Sequence, residues 1–115
     1  MRKFLLGFLY AWQGTRYAFS TQLNFRFHFL SAILVFIASW YFDLSTSEWI
    51  WIICAISLVF AAELFNTAIE VLVDLVSPSY HHKAGIVKDL ASAAVMFVCL
   101  FALITGLIIF VPKIF

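Results

Sequence analysis

The chain has 115 residues, 65% of them hydrophobic and 11% charged, with a formal net charge of +1. Charged residues make up roughly a quarter of an ordinary soluble domain, so the composition excludes that class and implies a single-domain, all-α integral membrane protein. Cys54 and Cys99 lie inside apolar runs and read as small buried hydrophobes, and four glycines with two prolines leave no room for a linker or a repeat array.

Met1–Tyr10 has the two basic residues and short apolar stretch of a signal peptide, but Ala11–Arg16 offers no small-x-small cleavage site. An amphipathic surface helix over about residues 2–19 is the better reading. Phe4, Phe8, Ala11, Thr15 and Ala18 follow helical spacing, with Arg2, Lys3, Gln13 and Arg16 available to head groups. Trp12 and Tyr17 are interfacial anchors. The polar run Ser20–His28 follows, where Ser20 or Thr21 is expected to cap the next helix. Gln22 and Arg26 share one face of that helix, as do Asn24 and His28; His28 reads as a hydrogen-bonded interfacial histidine in preference to a metal ligand.

A first span is expected over about residues 29–42, an acidic turn over Asp43–Glu48, and a second span over about 49–76. Twenty residues at a rise of about 1.5 Å fill the roughly 30 Å hydrocarbon core. Counted from Trp49, the core ends near Ala68, so Glu63 lies just inside it while Glu70 and Asp74 reach the head groups. Glu63, Asn66, Glu70 and Asp74 are spaced three, four and four apart, which at about 100° per residue gathers them in a stripe about 80° wide. Polar groups aligned on an otherwise apolar helix are costly in a bilayer and point to function; a merely solvated acidic helix end would scatter its charges.

Ser77–Gly85 breaks the helix, and His81–His82 reads as part of a solvated loop, since successive histidines rarely converge on one ion. The third span is expected over about residues 86–111, ended by Pro112. Its first turns carry Lys88, Asp89 and Ser92, with small residues Ala91, Ala93 and Ala94 that let helices approach closely. Arg2, Lys3, Arg16, Arg26, Lys83 and Lys88 fall on one side of the membrane and only Lys113 on the other, which places the N-terminus and the histidine loop in the cytoplasm.

Glu63, Asn66, Glu70, Asp74, Lys88 and Asp89 therefore meet Gln22 and Arg26 at the cytoplasmic boundary. Carboxylates with an amide suit a hard cation such as Mg²⁺, the basic residues balance an anion, and a carboxylate in partly apolar surroundings is drawn towards the range useful for a general base. Such a set fits phosphoryl transfer. It fits a proton or cation pathway equally well. No Walker loop and no kinase Gly-rich loop is present, and no nucleic-acid partner is expected.

The run Glu63-Leu-Phe-Asn-Thr-Ala-Ile-Glu70-Val-Leu-Val-Asp74, then Tyr80-His81 and Lys88-Asp89-Leu-Ala-Ser-Ala-Ala-Val95, resembles the small prokaryotic diacylglycerol kinase family, which includes an undecaprenol kinase branch. The likeness extends from about Tyr10 to near the C-terminus. It implies a surface helix and three transmembrane helices in a homotrimer, in the bacterial inner membrane, with the active site on the cytoplasmic face. The implied activity is transfer of the ATP γ-phosphate to the primary hydroxyl of diacylglycerol, giving phosphatidic acid, with undecaprenol as the alternative acceptor; Asn24–His28 looks closer to the undecaprenol branch. By the same resemblance Glu63 is the general base and Glu70 a Mg²⁺ ligand. Asn66 helps hold the reacting groups, Lys88 contacts ATP phosphates, Asp74 and Asp89 serve the nucleotide, and Lys3, Tyr10 and His81 lie around it. The segment Thr21–Arg26 carries Gln22 where the family usually has Glu, the second metal ligand. A catalytically impaired structural homologue is thus a further reading.

Overall fold

A computed structural model describes residues 1–115. It has four helices and no strand: α1 (Arg2–Thr21), α2 (Leu23–Tyr41), α3 (Thr46–Val76) and α4 (His82–Ile114). Three of them, α2, α3 and α4, are long and apolar enough to cross a bilayer, and the protein is an all-α membrane protein. The 31 residues of α3 make a rod about 46 Å long, well beyond the roughly 30 Å hydrocarbon core. Its polar last turns thus extend past the apolar part of the span.

α1 and α2 are separated by one extended residue, Gln22. The expectation that Ser20 or Thr21 caps α2 is corrected here. Both still belong to the last turn of α1, and both hydroxyls donate back to the carbonyl of Tyr17. Gln22 occupies the cap position instead, with no side-chain hydrogen bond to the helix. The polar run therefore forms the first turns of α2, which begins at Leu23.

The opposite turn is closed by backbone chemistry. Asp43 takes a left-handed conformation, φ 51°, which a short polar side chain tolerates better than most. That conformation lets the N–H groups of Asp43 and Leu44 donate to the carbonyls of Trp40 and Ser39 at the end of α2. Leu44 is then buried against Ile52 and Ile109. Ser45 caps α3, its hydroxyl accepting from the Glu48 N–H while Glu48 accepts from the Ser45 N–H. Glu48 also pairs with Lys113 at 3.1 Å, fastening the end of α4 to the start of α3.

α4 departs from expectation at both ends. It begins at His82, because His81 Nδ1 accepts from the Lys83 N–H and so caps the first turn. It also continues through Pro112 to Ile114: proline keeps a helical φ, and although it leaves the Ile108 carbonyl without its ladder bond, only the final two residues of the helix follow it.

The helices pack unevenly. α3 and α4 lie along each other, with Ala91 buried where they approach. α2 packs against α3, yet no Cα of α2 comes within 8 Å of one in α4. The gap is a groove of about 510 Å³ floored by α3, running from His28 and Cys99 to Phe110 and Ile114. Only 13 of 115 residues are buried, so most apolar side chains face outward from the single chain, as suits lipid or neighbouring helices. Cys54 is among the exposed residues and Cys99 is half-buried; the expected burial of Cys54 fails because its face of α3 is covered by no other helix of the chain.

Candidate active site

The stripe predicted on α3 is present, and the fold divides it into three pairs at successive depths. Glu63 is the deepest. Its side chain is 3% exposed, and its Oε1 lies 3.1 Å from His28 Nε2 on α2. One turn on, Thr67 is buried and donates to the Glu63 carbonyl, so its hydroxyl leaves the carboxylate untouched. Cys99 on α4 brings its Sγ to 3.9 Å from the same imidazole nitrogen. A carboxylate removed from water by three helices is expensive unless it is hydrogen-bonded, and His28 supplies that bond.

The middle pair is Asn66 and Glu70, both half-buried. Asn66 Nδ2 donates to Glu70 Oε1 at 3.3 Å, as residues four apart on a helix can. Asn66 Oδ1 is buried and has no hydrogen-bond partner. An unsatisfied buried oxygen beside a carboxylate is a pair of hard donors of the kind Mg²⁺ takes. No three His, Cys, Asp or Glu side chains of one chain converge as a metal site.

The outermost pair is Asp74 and Lys88. They meet at 2.7 Å across the α3–α4 connection, both substantially exposed, so the pair links the two helices at the mouth of the hairpin while water and salt screen most of its strength. Of the remaining predicted residues, His81 caps α4, and Gln22 sits half-buried at the α1–α2 break. Lys3, Tyr10 and Asp89 are exposed, and neither they nor Gln22 make a side-chain hydrogen bond within the chain.

The partner of Glu63 is what the sequence reading missed, since it left His28 at the interface with no assigned contact. Counting along the hairpins finds it. His28 and Glu63 lie seventeen and eighteen residues either side of Ser45, and Glu63 and Cys99 lie eighteen residues either side of His81. Antiparallel helices joined by short turns bring such residues to one depth.

The model of the family described as prokaryotic diacylglycerol kinase matches residues 9–110. An undecaprenol kinase of Bacillus subtilis (strain 168) is 38% identical over 98% of this chain and 92% of its own. A diacylglycerol kinase of Synechocystis is 40% identical over 94% of this chain and 62% of that protein. A diacylglycerol kinase of Escherichia coli (strain K12) is 32% identical over 87% of this chain and 82% of its own. On these matches the chain belongs to the prokaryotic diacylglycerol kinase family and is a membrane lipid kinase.

Proposed function

We propose that the protein transfers the γ-phosphate of ATP to the primary hydroxyl of diacylglycerol, giving phosphatidic acid, at the cytoplasmic face of the bacterial inner membrane. The observation that carries this reading is the position of Glu63, buried among three helices beside the polar end of an otherwise hydrocarbon-lined groove. A lipid alcohol lying along such a groove brings its hydroxyl to the carboxylate. Glu63 takes the hydroxyl proton as the lipid oxygen bonds to the γ-phosphorus and the bond from that phosphorus to ADP breaks, so base catalysis and placement act together. Glu70, with the free oxygen of Asn66 and with Gln22, would hold Mg²⁺, whose part is to neutralise charge on the transferring phosphate. Lys88 and Asp89 lie where the nucleotide phosphates enter, and Asp74 holds Lys88 in place. Lys3, Tyr10 and His81 border the nucleotide.

Undecaprenol as acceptor is a second reading, supported by the Asn24–His28 run and by likeness to the Bacillus subtilis protein over nearly the whole of both chains. Purified protein given Mg-ATP and either lipid tests both: labelled phosphate is expected in the diacylglycerol product. Labelling confined to undecaprenol would replace the first reading by the second, and proton flux with no labelled lipid would restore the pathway reading.

The active unit is a homotrimer in this reading, because one chain buries few of its residues and leaves long apolar faces for neighbouring helices. Mixing Glu63→Gln subunits with Glu70→Gln subunits is expected to restore part of the activity lost in each, as some hybrid sites combine two intact residues. No recovery in demonstrably mixed oligomers would mean that each site is built within one chain.

Gln22 leaves the metal short of one negative charge. Gln22→Glu should lower the Mg²⁺ concentration needed for half-maximal rate, since a hard cation prefers carboxylate to amide. An unchanged requirement would remove Gln22 from the metal site. For the orientation, Ser45→Cys and Ser79→Cys in a chain freed of Cys54 and Cys99 should label from opposite sides with an impermeant thiol reagent. Labelling from one side would contradict the three-span topology.

A further inference from the structure

The bond between His28 and Glu63 is the only side-chain hydrogen bond joining α2 to α3. It lies at the one place where the reading above needs a carboxylate held still. α2 has little else to fix it there: of the two other spans it packs closely only on α3, and across the groove His28 meets α4 only through the Sγ of Cys99 at 3.9 Å. Along that groove the lining is apolar apart from His28 and Ser31, and the Ser31 hydroxyl is already donated to the Phe27 carbonyl. His28 is thus the polar group of α2 that reaches across, and at 17% side-chain exposure it does so largely out of water.

The two oxygens of Glu63 are not equivalent. Oε1 faces the imidazole nitrogen at 3.1 Å. Oε2 has no hydrogen-bond partner, yet unlike Asn66 Oδ1 it is not sealed from the surface. Carboxylate has no N–H or O–H of its own, so the bond requires the proton on His28 Nε2. Donation from an oriented ring fixes the rotation of the carboxylate, and so decides which oxygen stays open.

We propose that His28 is a positioning residue for Glu63: its Nε2–H holds Oε1 and leaves Oε2 free to take the proton of the acceptor hydroxyl. The proposal rests on Glu63 being the base. His28 touches no substrate atom in this arrangement. Its effect runs entirely through Glu63, much as a histidine's orienting partner fixes its tautomer in other catalytic sets. A base turned out of line loses rate at the proton-transfer step without losing nucleotide affinity.

The test compares His28→Gln with His28→Asn in the full-length protein reconstituted in lipid. The two amides share their chemistry and differ in reach: the Gln side-chain nitrogen comes close to the place of Nε2, and the Asn nitrogen stops short of it. Loss of a hydrogen bond to a charged group corresponds to about a 10- to 100-fold effect. His28→Asn and His28→Leu should therefore lose about that much kcat, with the KM for Mg-ATP held within about twofold, while His28→Gln keeps kcat within about fivefold of the unaltered protein. In a Glu63→Gln background, followed by single turnover, His28→Asn should cost less than about twofold further, because residues that act as a unit do not add.

Equal losses in both backgrounds, or a His28→Asn protein as active as His28→Gln, would overturn the positioning role. Should His28→Leu fail to assemble, the Asn and Gln pair decides alone. The base reading is judged separately, by Glu63→Gln with His28 intact. If that variant keeps more than about a tenth of the turnover, well above the range for a lost general base, the base reading falls and the positioning role with it. If its turnover collapses and the His28 variants leave kcat unchanged, only the positioning role falls.

Discussion

Replacing Glu63 by glutamine is expected to lower turnover by roughly 10²–10⁴, the range for loss of a general base, while nucleotide affinity and assembly stay near those of the unaltered protein. The substitution is well conditioned for this comparison. The Glu63 side chain is 3% exposed and packed among α2, α3 and α4, and glutamine keeps its shape, so no cavity forms. Its carbonyl oxygen still accepts from His28 Nε2, the bond that Glu63 Oε1 makes at 3.1 Å, and Thr67 still donates to the main-chain carbonyl at position 63. What disappears is the charge and the capacity to take a proton. Removing a buried carboxylate also removes its desolvation cost, so folding should hold or improve while chemistry fails. The check is kcat and KM by labelled-phosphate transfer beside thermal unfolding of the same sample. Retention of more than about a tenth of the turnover, well above that range, or rescue by added Mg²⁺, would assign Glu63 to structure or to metal instead.

The layout of the chain was legible because its signals are local. Long apolar runs separated by short polar turns mark three spans. The stripe of Glu63, Asn66, Glu70 and Asp74 follows from helical spacing alone, since all four lie within α3. What spacing on one helix does not carry is which partner meets each member. The fold answers that separately at each depth: His28 from α2 for Glu63, Glu70 from α3 itself for Asn66, and Lys88 from α4 for Asp74. Helix ends were the other weak point. Ser20 and Thr21 have the side chains of caps, but Gln22 breaks the helix after them and they turn back onto Tyr17 instead. Burial was misjudged at Cys54 for a related reason. In a soluble domain an apolar run is an inward one, whereas here a face of α3 is left for lipid or a neighbouring helix.

Glu70→Gln is expected to fail in a different way from Glu63→Gln, and the contrast separates a metal ligand from a base. Asn66 Nδ2 lies 3.3 Å from Glu70 Oε1, and Asn66 Oδ1 is buried without a partner. Together they leave one amide oxygen and one carboxylate for a cation. Gln22 at the second expected ligand position brings no charge, so Glu70 carries the only formal negative charge of the proposed metal set. Losing it should weaken Mg-ATP binding by roughly tenfold or more, about 1.4 kcal/mol for each factor of ten. Raised Mg²⁺ should restore part of the rate, because mass action fills a weakened site and does nothing for a missing base. The measurement is KM for Mg-ATP at several free Mg²⁺ concentrations, with Glu63→Gln run alongside as the variant that Mg²⁺ does not rescue. Addition of Gln22→Glu to Glu70→Gln returns one carboxylate to the set and should recover binding in part if both residues hold the same ion. A Glu70→Gln protein with unchanged KM and a uniformly low kcat would place Glu70 with the proton chemistry and leave Asn66 Oδ1 to another partner.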